Sequence, residues 1–429
     1  MQLSTKPPKG TSDWFPEEYK IRKYIFDTWR QVCTSYGFEE YLWPLVESTD
    51  IWKAKSGEDV GGTELTRITN RVGEISDLAV RPEMTPTVTR MVANKYKEID
   101  KPVKWFSIAN FYRNEKPQKG RNREFWQLNA DIFGDQSLNS DIEILTLSLE
   151  LMRAFSPPKG SYKLRLNHRQ LINEFFDEIL GLKESENKRD LMRLLDKYDK
   201  LSKDIFGEQA KKLGVEHVDI IHKFMSAKTP LELKESFISL AGSKALKDFL
   251  FLVEGLEKLG YEHDIEFSGN LIRGFDYYDG IIFEIFDTNP DNPRALFGGG
   301  RYNGLASIFG VKEDIPAIGF APGDETMKLF LEWHGLLEKI KNTQQDLIFI
   351  PLLDEAYFTD IQNIANSLRN EGKNVLVWLT SRKLGKAINY AKKKGCSSIV
   401  IYGEQEQKAG EYILENLATG EQEKINFSK

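Results

Sequence analysis

Residues 106–134 read FSIANFYRNEKPQKGRNREFWQLNADIFG, and they carry the clearest structural signal in the first part of the chain. Two apolar runs with the alternation of half-buried strands flank a loop rich in Lys, Arg, Gly and Pro. Arg113 ends the first run and Arg121 lies in the loop. Gln127 and Asp131 lie four residues apart on the second run, a spacing that places both side chains on one face of a strand. The stretch predicts a hairpin with a fixed cation, a cationic loop and a polar pair, which suits a nucleoside triphosphate held beside a small polar substrate.

The same residues allow a plainer interpretation, because antiparallel sheets usually have one solvated face that Arg113 and Gln127 could simply decorate. The order of residues in the loop is more particular. An aromatic pair, then Arg-Asn-Glu, then Pro-Gln-Lys-Gly-Arg and Arg-Glu-Phe, resembles motif 2 of the class II aminoacyl-tRNA synthetases. Within that class the wording is most similar to the histidyl-tRNA synthetases.

Length and composition indicate the number of domains and the general class of protein, but not its function. With 429 residues it should contain two or three domains, and 40% hydrophobic and 29% charged residues are typical of a globular protein. The net charge of −6 gives no global basic field, so any nucleic acid must be bound through local patches.

The two cysteines, Cys33 and Cys396, are far apart and match no metal-binding or disulfide pattern, which favours a reducing, cytoplasmic compartment. The five histidines form no HxxxH or Cys/His cluster, so we expect no structural metal. We also expect neither a signal peptide nor a membrane span, because no long apolar run occurs.

The resemblance implies an α+β catalytic domain built on an antiparallel sheet, with a helical insertion, followed by a C-terminal α/β anticodon-binding domain. The Lys/Glu-rich insertion has helical periodicity, and its charges are either a solvated face or a contact with an RNA arm. The C-terminal part alternates strands and helices and predicts a small, mainly parallel sheet. The expected divisions are catalytic residues 1–171, insertion 172–258, catalytic residues 259–335, linker 336–345 and anticodon-binding domain 346–429.

A helix from Glu17 to Tyr36, a glycine and then a strand over residues 37–47 resemble motif 1, which forms the dimer interface of the class. Pro44 lies inside this predicted strand and should sit at an edge or an interface, since proline cannot donate a ladder hydrogen bond. The resemblance therefore implies a homodimer.

Two further segments match signatures of the histidyl enzymes. In the first, Leu-Ile-Arg-Gly-Phe-Asp-Tyr-Tyr at 271–278, the resemblance makes Arg273 a second cation at the α-phosphate of ATP, and Tyr277 and Tyr278 lining residues of the histidine pocket. In the second, Phe-Gly-Gly-Gly-Arg-Tyr at 297–302, it makes Tyr302 the residue that closes the pocket. Alone, the first segment could equally be a strand entering a turn, and the second is a weak glycine signal.

The resemblance implies aminoacylation, in which an amino-acid carboxylate attacks the α-phosphate of ATP and pyrophosphate leaves. Arginine forks and carboxylates that hold Mg2+ suit this chemistry. Arg113 would bridge the substrate carboxylate and the α-phosphate, Arg121 would contact the outer phosphates, and Glu115 would approach adenine.

Histidine recognition requires one acceptor and one donor for the neutral imidazole. By the resemblance, Asp131 and Tyr278 supply them, while Glu83, Thr85 and Gln127 surround the α-amino group. The family more often has glutamate at position 131, so the carboxylate here is one methylene shorter.

A larger departure lies in motif 3, which usually reads Gly-x-Glu-Arg before a helix. Here Thr326 occupies the arginine position within Gly-Phe-Ala-Pro-Gly-Asp-Glu-Thr, residues 319–326. Either another cation substitutes for that arginine or the nucleotide is bound less tightly.

The stretch SRKLGKAINYAKKKG, with LATGEQ later, resembles the anticodon-binding domain of the family. The candidate RNA-binding residues are Arg382, Lys383 and Lys386. Proteins that recognise single-stranded RNA bind its unstacked bases and contact its phosphate backbone with cationic side chains. The lysines at 392–394 are explained by the helix dipole.

The predicted partners are ATP, L-histidine and the cognate tRNA(His), with no membrane. An alternative from another class is a regulatory paralogue that senses histidine without charging RNA. Such paralogues usually lack the C-terminal domain and lose catalytic arginines, whereas this chain retains Arg113, Arg273 and that domain. A class II synthetase for another amino acid is a further alternative, which the two histidine signatures disfavour.

Overall fold

The computed structural model describes residues 3–53, 59–182, 186–195, 197–271, 278–341 and 345–427. The chain divides into two compact units, Met1–Ile340 and Lys341–Lys429. The strands, in chain order, are β1 (Glu39–Glu40), β2 (Val46–Ser48), β3 (Thr66–Thr69), β4 (Ile75–Val80), β5 (Val103–Tyr112), β6 (Glu124–Phe133), β7 (Tyr162–His168), β8 (Ile265–Phe267), β9 (Ile281–Asp287), β10 (Ala295–Arg301), β11 (Ala317–Phe320), β12 (Gln345–Ile350), β13 (Asn374–Val377), β14 (Cys396–Ile401), β15 (Glu411–Asn416) and β16 (Gln422–Asn426).

The α-helices are α1 (Pro16–Ser35), α2 (Thr49–Lys53), α3 (Thr85–Lys95), α4 (Leu138–Arg153), α5 (Arg169–Glu174), α6 (Glu186–Leu195), α7 (Lys203–Lys212), α8 (Val218–Ser226), α9 (Pro230–Ser236), α10 (Lys244–Lys258), α11 (Asp324–Trp333), α12 (Leu337–Lys341), α13 (Phe358–Asn370), α14 (Leu384–Lys394) and α15 (Glu404–Ala409). In the described residues, no helix is both long and apolar enough to cross a bilayer.

The predicted hairpin forms the middle of the first unit. β5 and β6 pair antiparallel in one continuous register within an eight-stranded sheet of order β1-β5-β6-β11-β10-β9-β7-β8. Only the outer pairs β1–β5 and β7–β8 are parallel. This antiparallel-rich sheet confirms the predicted class of the catalytic fold.

The two faces of the sheet are packed differently, as the alternation along the hairpin requires. Ile108, Leu128 and Ile132 belong to the large core that also includes apolar residues of α1, α4 and the helices after β7. Phe111 and Phe133 lie on the opposite face, in a smaller core shared with α3. Gln127 and Asp131 are on this second face, because they share the parity of Phe133 along β6.

The expectation of one strand over residues 37–47 is wrong. β1 pairs with β5 in the large sheet, whereas β2 pairs with β4 in a separate three-stranded sheet. Pro44 lies between these strands and belongs to neither. Because proline has no N–H for a ladder, it sits where the chain leaves one sheet for the other.

The described residues between 172 and 258 lie mainly in helices α5–α10, with a π turn at Phe175–Ile179 and 3₁₀ turns at Tyr198–Lys200 and Ile238–Gly242. Elsewhere in the chain a π turn lies at Asp59–Thr63, and 3₁₀ turns lie at Leu305–Phe309 and Glu355–Tyr357. In the segment expected to be a linker, 336–345, residues 337–341 are helical, because Leu336 and Leu337 are buried against the core of the first unit. Residues 342–344 lie outside the described part of the chain.

The second unit contains the predicted βαβαβ arrangement, with β12 parallel to β13 and to β14. Its sheet is nevertheless mixed rather than mainly parallel, since β15 and β16 add two antiparallel pairs beside β14. The connection between them turns through Gly420, whose φ of +74° favours glycine. The strands are short and largely exposed on one side, so their apolar pattern is weak.

Candidate active site

Two glycines lie side by side on the second face of the large sheet, the face that carries Asp131. Asp131 on β6 is paired with Gly319 on β11, and Gly319 is paired with Gly300 on β10. A Cβ atom at Gly319 would overlap the Asp131 carboxylate and lie 2.7 Å from the carbonyl oxygen of Ala130. A Cβ atom at Gly300 would lie 2.9 Å from Cδ1 of Tyr278. We call Gly300 and Gly319 the glycine floor, because any larger residue would fill the space that these side chains occupy.

Asp131 is a buried carboxylate, and the described residues give it a close polar partner in Tyr302. Its side chain is 4% exposed, and the Tyr302 hydroxyl donates to its Oδ1 atom at 2.5 Å. Burial raises the pKa of Asp131 to about 7, and the hydrogen bond from Tyr302 opposes that rise. Near neutral pH the carboxyl group can therefore act as an acceptor or carry a proton, which are the two states that an imidazole partner can use.

Two of the tyrosines predicted for the pocket, Tyr278 and Tyr302, lie close to each other, and Tyr302 contacts this carboxyl group. Tyr302 is 2% exposed and meets Phe133 edge to face, with 6.1 Å between the ring centroids. Tyr278 is half-buried, and its ring centroid lies 6.4 Å from that of Tyr302. Arg273 and Tyr277 lie outside the described residues.

Arg113 follows the end of β5 and is held from two sides. Its Nε donates to the carbonyl oxygen of Pro82 at 2.9 Å, and its guanidinium carbon lies 5.3 Å from the centroid of the Phe125 ring. In the described part of the chain its two Nη groups have no hydrogen-bond acceptor, so both can face a ligand. This arrangement fixes the stem of the side chain and leaves the end of its planar fork accessible.

The contact with Pro82 brings Arg113 next to the segment that contains Glu83 and Thr85. Glu83 is 3% exposed, and Thr85 is the first residue of α3. Gln127 approaches from β6, where its Nε2 donates to the carbonyl oxygen of Ala321 at 3.2 Å. The hydrogen bond to Ala321 holds the Gln127 side chain, and none of these contacts between described residues joins Glu83, Thr85 and Gln127 directly to one another.

The cationic loop, residues 114–123, connects the two strands of the hairpin. Arg121 and Glu115 form an ion pair within it at 3.3 Å, and the Arg121 side chain is 58% exposed. Arg123 closes the loop, since its Nε donates to the carbonyl oxygen of Glu115 at 3.0 Å. The backbone of Arg123 also donates to the carbonyl oxygen of Gly10, which fastens the N-terminal segment to the loop.

Thr326, at the position where motif 3 usually has arginine, turns its hydroxyl to the backbone. Its Oγ1 donates to the carbonyl oxygen of Leu296 at 2.8 Å and lies 3.0 Å from that of Gly323. The residue thus ties the first turn of α11 to β10 and supplies no charge.

Several arginines around the site are structural, and the sequence did not reveal their roles. Arg301 is 6% exposed and makes a two-pronged contact with Asp141, at 2.8 and 2.9 Å, which fixes the start of α4. Arg81 donates to the backbone and side-chain oxygens of Asn110 and lies over the Trp43 ring. The sequence feature that could have indicated these structural roles is an arginine next to glycines, as at Arg301, or next to a proline, as at Arg81.

Arg22 of α1 provides a buried ion pair on the other side of the sheet. It lies 2.6 Å from both Asp324 and Glu325 at the start of α11, and its guanidinium stacks on the ring of Trp14. Burial raises the pKa of Asp324 to about 7, and the Arg22 charge opposes the rise. The pair fixes α11 against α1 and therefore the motif 3 segment against the hairpin.

The candidate RNA-binding residues of the second unit lie at the beginning of α14. Arg382, Lys383 and Lys386 are all exposed, and the guanidinium carbon of Arg382 lies 5.1 Å from the centroid of the Trp378 ring. The lysines at 392–394 are exposed at the other end of the helix. The first group therefore forms a separate basic patch with an aromatic neighbour.

Comparison with known proteins agrees with this arrangement. Residues 10–326 match the family described as histidyl-tRNA synthetase, and residues 346–429 match the anticodon-binding domain. The chain is 39% identical to a histidine–tRNA ligase of Leptospira biflexa, with 100% of this chain and 97% of the relative covered. It is 34% identical to a histidine–tRNA ligase of Pyrococcus horikoshii, with 98% and 96% covered.

The fold is also similar to that of a solved histidyl-tRNA synthetase from Nostoc sp. PCC 7120, with a TM-score of 0.82 at 22% identity and coverage of 99% of this chain and 97% of that one. The family match, the full-length relatives and the class II fold agree. This chain belongs to the histidyl-tRNA synthetase family.

Proposed function

We propose that this protein ligates L-histidine to its cognate tRNA(His) at the expense of ATP. The observation that carries the proposal is the Asp131–Tyr302 pair on the glycine floor, beside a hairpin that ends in Arg113. A buried carboxyl–hydroxyl pair suits an imidazole, and the partly buried guanidinium of Arg113 suits an anionic group, so both support this reaction. Full-length likeness to histidine–tRNA ligases supports the same reaction.

In the amino-acid pocket, Asp131 and Tyr278 pair with the two imidazole nitrogens, and Tyr302 holds the Asp131 carboxyl group in place. A pocket built from such fixed polar groups rejects side chains that leave them unpaired. Glu83, Thr85 and Gln127 accept hydrogen bonds from the α-ammonium group of histidine. Tyr277 completes the wall of the pocket.

In the first step a carboxylate oxygen of histidine forms a bond to the α-phosphorus of ATP, the bond to the β-phosphate bridge breaks, and pyrophosphate leaves. Arg113 and Arg273 stabilise the negative charge that develops around the α-phosphorus. Arg121 binds the outer phosphates, and Glu115 binds the adenine ring. In the second step a ribose hydroxyl of the terminal tRNA adenosine attacks the carbonyl carbon, and AMP leaves.

ATP is the nucleotide substrate of the class, and Mg2+ is its expected companion. The described residues contain no group of three acidic, histidine or cysteine side chains placed to hold a metal ion. Mg2+ therefore fits this site as an ion bound mainly by the phosphates of ATP, which is its usual mode in nucleotide enzymes. Its charge would offset that of the phosphates, and the steps given above use only residues of the chain and the substrates.

The test of the proposal is histidine-dependent ATP–pyrophosphate exchange by the full-length protein. We expect exchange with L-histidine, and we expect Arg273→Ala to lose most of it because one cation at the α-phosphate is removed. Clean histidine binding without exchange would support the regulatory paralogue instead. Near wild-type exchange by the Arg273→Ala variant would remove Arg273 from the mechanism.

RNA binding is tested separately at α14. Replacing Arg382, Lys383 and Lys386 together with alanine should raise the KM for tRNA(His) in charging assays while leaving pyrophosphate exchange unchanged. Loss of three phosphate contacts should also lower the salt dependence of binding by about two units in the log–log slope. The matched control replaces the three lysines at 392–394, and an equal effect of that control would contradict the assignment.

We also propose a homodimer that works in the cytoplasm. Leu42 and Leu45 are 75% and 48% exposed beside β2, and Ile75 and Leu78 of the neighbouring strand are 67% and 45% exposed. Exposed apolar residues in adjacent elements are typical of a protein–protein surface. Sedimentation velocity should report a dimer, and the double variant Leu45→Glu with Leu78→Glu should dissociate it.

The cytoplasmic part of this proposal is supported by the two cysteines, which are buried free thiols and suit a reducing compartment.

A further inference from the structure

The neighbourhood of Thr326 contains an arginine that comes from another element. Thr326 donates to the carbonyl oxygen of Leu296, and Arg294 precedes Leu296 by two residues. Arg294 reaches across to the cationic loop, where its Nη2 donates to Oε1 of Gln118 at 2.7 Å and its Nη1 donates to the carbonyl oxygen of Lys119 at 3.4 Å. Its guanidinium therefore contacts the loop that contains Arg121, while its backbone lies two residues before the Leu296 carbonyl that Thr326 contacts.

The turn before Arg294 is held by a buried carboxylate. Asp287 accepts hydrogen bonds from the backbone of Asn289 at 2.9 Å and from the side-chain amide of Asn292 at 3.2 Å. Its Oδ1 also lies 2.9 Å from Nε2 of His334, at the end of α11. These contacts fix the turn that precedes Arg294, and the two hydrogen bonds to the cationic loop hold the end of its side chain.

The charge of Arg294 is not neutralised by its protein partners. Both acceptors are uncharged oxygens, and within the described part of the chain Arg294 makes no ion pair. By contrast, Arg301 and Arg22 are neutralised by Asp141 and Asp324. An exposed guanidinium with neutral partners retains its attraction for an anion, and its fork geometry suits phosphate oxygens.

We propose that Arg294 binds the polyphosphate of ATP together with Arg121 and supplies the cation that Thr326 cannot. This inference rests on the proposed function, because it assigns a binding role within the same ATP site. Its hydrogen bonds to Gln118 and Lys119 hold the guanidinium against the cationic loop before the nucleotide arrives.

The experiment measures pyrophosphate exchange against ATP concentration at saturating histidine. Arg294→Ala should raise the KM for ATP by about 10-fold or more, because a charge-assisted contact to phosphate is lost. The KM for histidine should stay at the wild-type value. The decisive variant is Arg294→Ala combined with Thr326→Arg, which returns a cation to the position used in the class and should recover much of the ATP affinity.

Two controls separate binding from positioning. Gln118→Ala removes the anchor in the loop but keeps the Arg294 charge, and it should change the KM for ATP much less than Arg294→Ala does. Arg193→Ala removes an arginine that is 80% exposed in the insertion and should change neither KM. Circular dichroism and thermal melting verify that each variant is folded, and Arg294→Lys, which keeps the charge, should lie between wild type and Arg294→Ala.

Three results would overturn the inference while wild-type exchange persists. They are an unchanged KM for ATP in Arg294→Ala, an equal increase in Gln118→Ala, or no recovery when Thr326→Arg is added. Absence of histidine-dependent exchange in the wild-type protein would instead overturn the proposed function, so the two failures are distinguishable.

Discussion

The glycine floor and the cationic loop belong to the same part of the catalytic sheet, but they are built in opposite ways. On the floor, Asp131 and Tyr302 are 4% and 2% exposed, and Gly300 and Gly319 leave no space for another atom. In the loop, Arg121 is 58% exposed, and its ion pair with Glu115 spans 3.3 Å.

The difference follows from what each region is proposed to bind. A neutral imidazole offers one donor and one acceptor, so its partners must be fixed by packing before it arrives. A polyphosphate has several charged oxygens and can be bound by exposed cations that adjust their side chains. Changes to the floor should therefore alter histidine recognition and stability together, whereas changes to the loop should alter ATP affinity alone.

Gly319→Ala should have the largest effect. The new methyl group would overlap the Asp131 carboxylate and approach the backbone of Ala130 at 2.7 Å, so the β6–β11 pair must shift. Misplacing Asp131 in this way should lower histidine-dependent exchange by about 100-fold. Gly242→Ala is the matched control, because a Cβ atom there meets open space. Equal activity of the two variants would show that the floor is not needed.

Asp131→Asn should have the next largest effect, and it should separate function from stability. Loss of a buried charged partner should lower exchange by about 10- to 100-fold. Burial raises the pKa of Asp131 from 3.8 to about 7 in the folded protein. The carboxyl group therefore ionises in the unfolded chain at lower pH than in the folded protein, so the wild-type protein loses stability as pH rises from about 4 to about 7.

The Asn variant lacks this loss, so its urea midpoint should exceed that of wild type at pH 8, with the difference shrinking toward pH 4. Asp204→Asn, at an exposed position, should show no such pH-dependent gain. If the urea midpoint of the wild-type protein at pH 8 equals or exceeds that of Asp131→Asn, the buried Asp131 carboxylate does not destabilise the folded protein.

Arg121→Ala should have an intermediate effect confined to ATP. Loss of one exposed cation at the outer phosphates should raise the KM for ATP by about 10-fold and leave the KM for histidine unchanged. The free energy of unfolding should change by less than about 1 kcal/mol, because exposed ion pairs contribute little. A parallel rise in both KM values would break the separation between floor and loop.

Glu115→Gln should have the smallest effect on stability. It removes the charge that pairs with Arg121 but keeps an amide of similar size, so the free energy of unfolding measured in urea should change by less than about 1 kcal/mol. A loss of stability as large as that of Gly319→Ala would place the ion pair among the structural contacts of the hairpin.

Much of the fold could be predicted from local pattern. The alternation over 106–134 gave the β5–β6 hairpin, and the helical periodicity at 138–155 gave α4, because these periods depend only on which faces are buried. The β15–β16 hairpin was missed because its strands are short and rich in charge. Pro44 was assigned to a strand because sequence spacing does not reveal a change of sheet.

The candidate site was predictable where a residue type carries its own chemistry, and not where its partner is distant. Arg301 stands beside the glycines in sequence, but its contact with Asp141 spans about a third of the chain and fixes a helix. Arg294 carried no recognisable motif, and only its contacts with Gln118 and Lys119 reveal it. Such long-range contacts depend on sheet order, which local periodicity does not encode.

Local sequence pattern is enough to predict the hairpin, the alternation that divides β6 into a core face and a polar face, and the lack of a cation at position 326. The three-dimensional fold adds that Gly319 and Gly300 leave space for Asp131 and Tyr278, and that Arg294 precedes the segment that Thr326 contacts. The physical reason is that side-chain direction along a strand follows from local geometry, whereas neighbours across a sheet are chosen by pairing between distant segments.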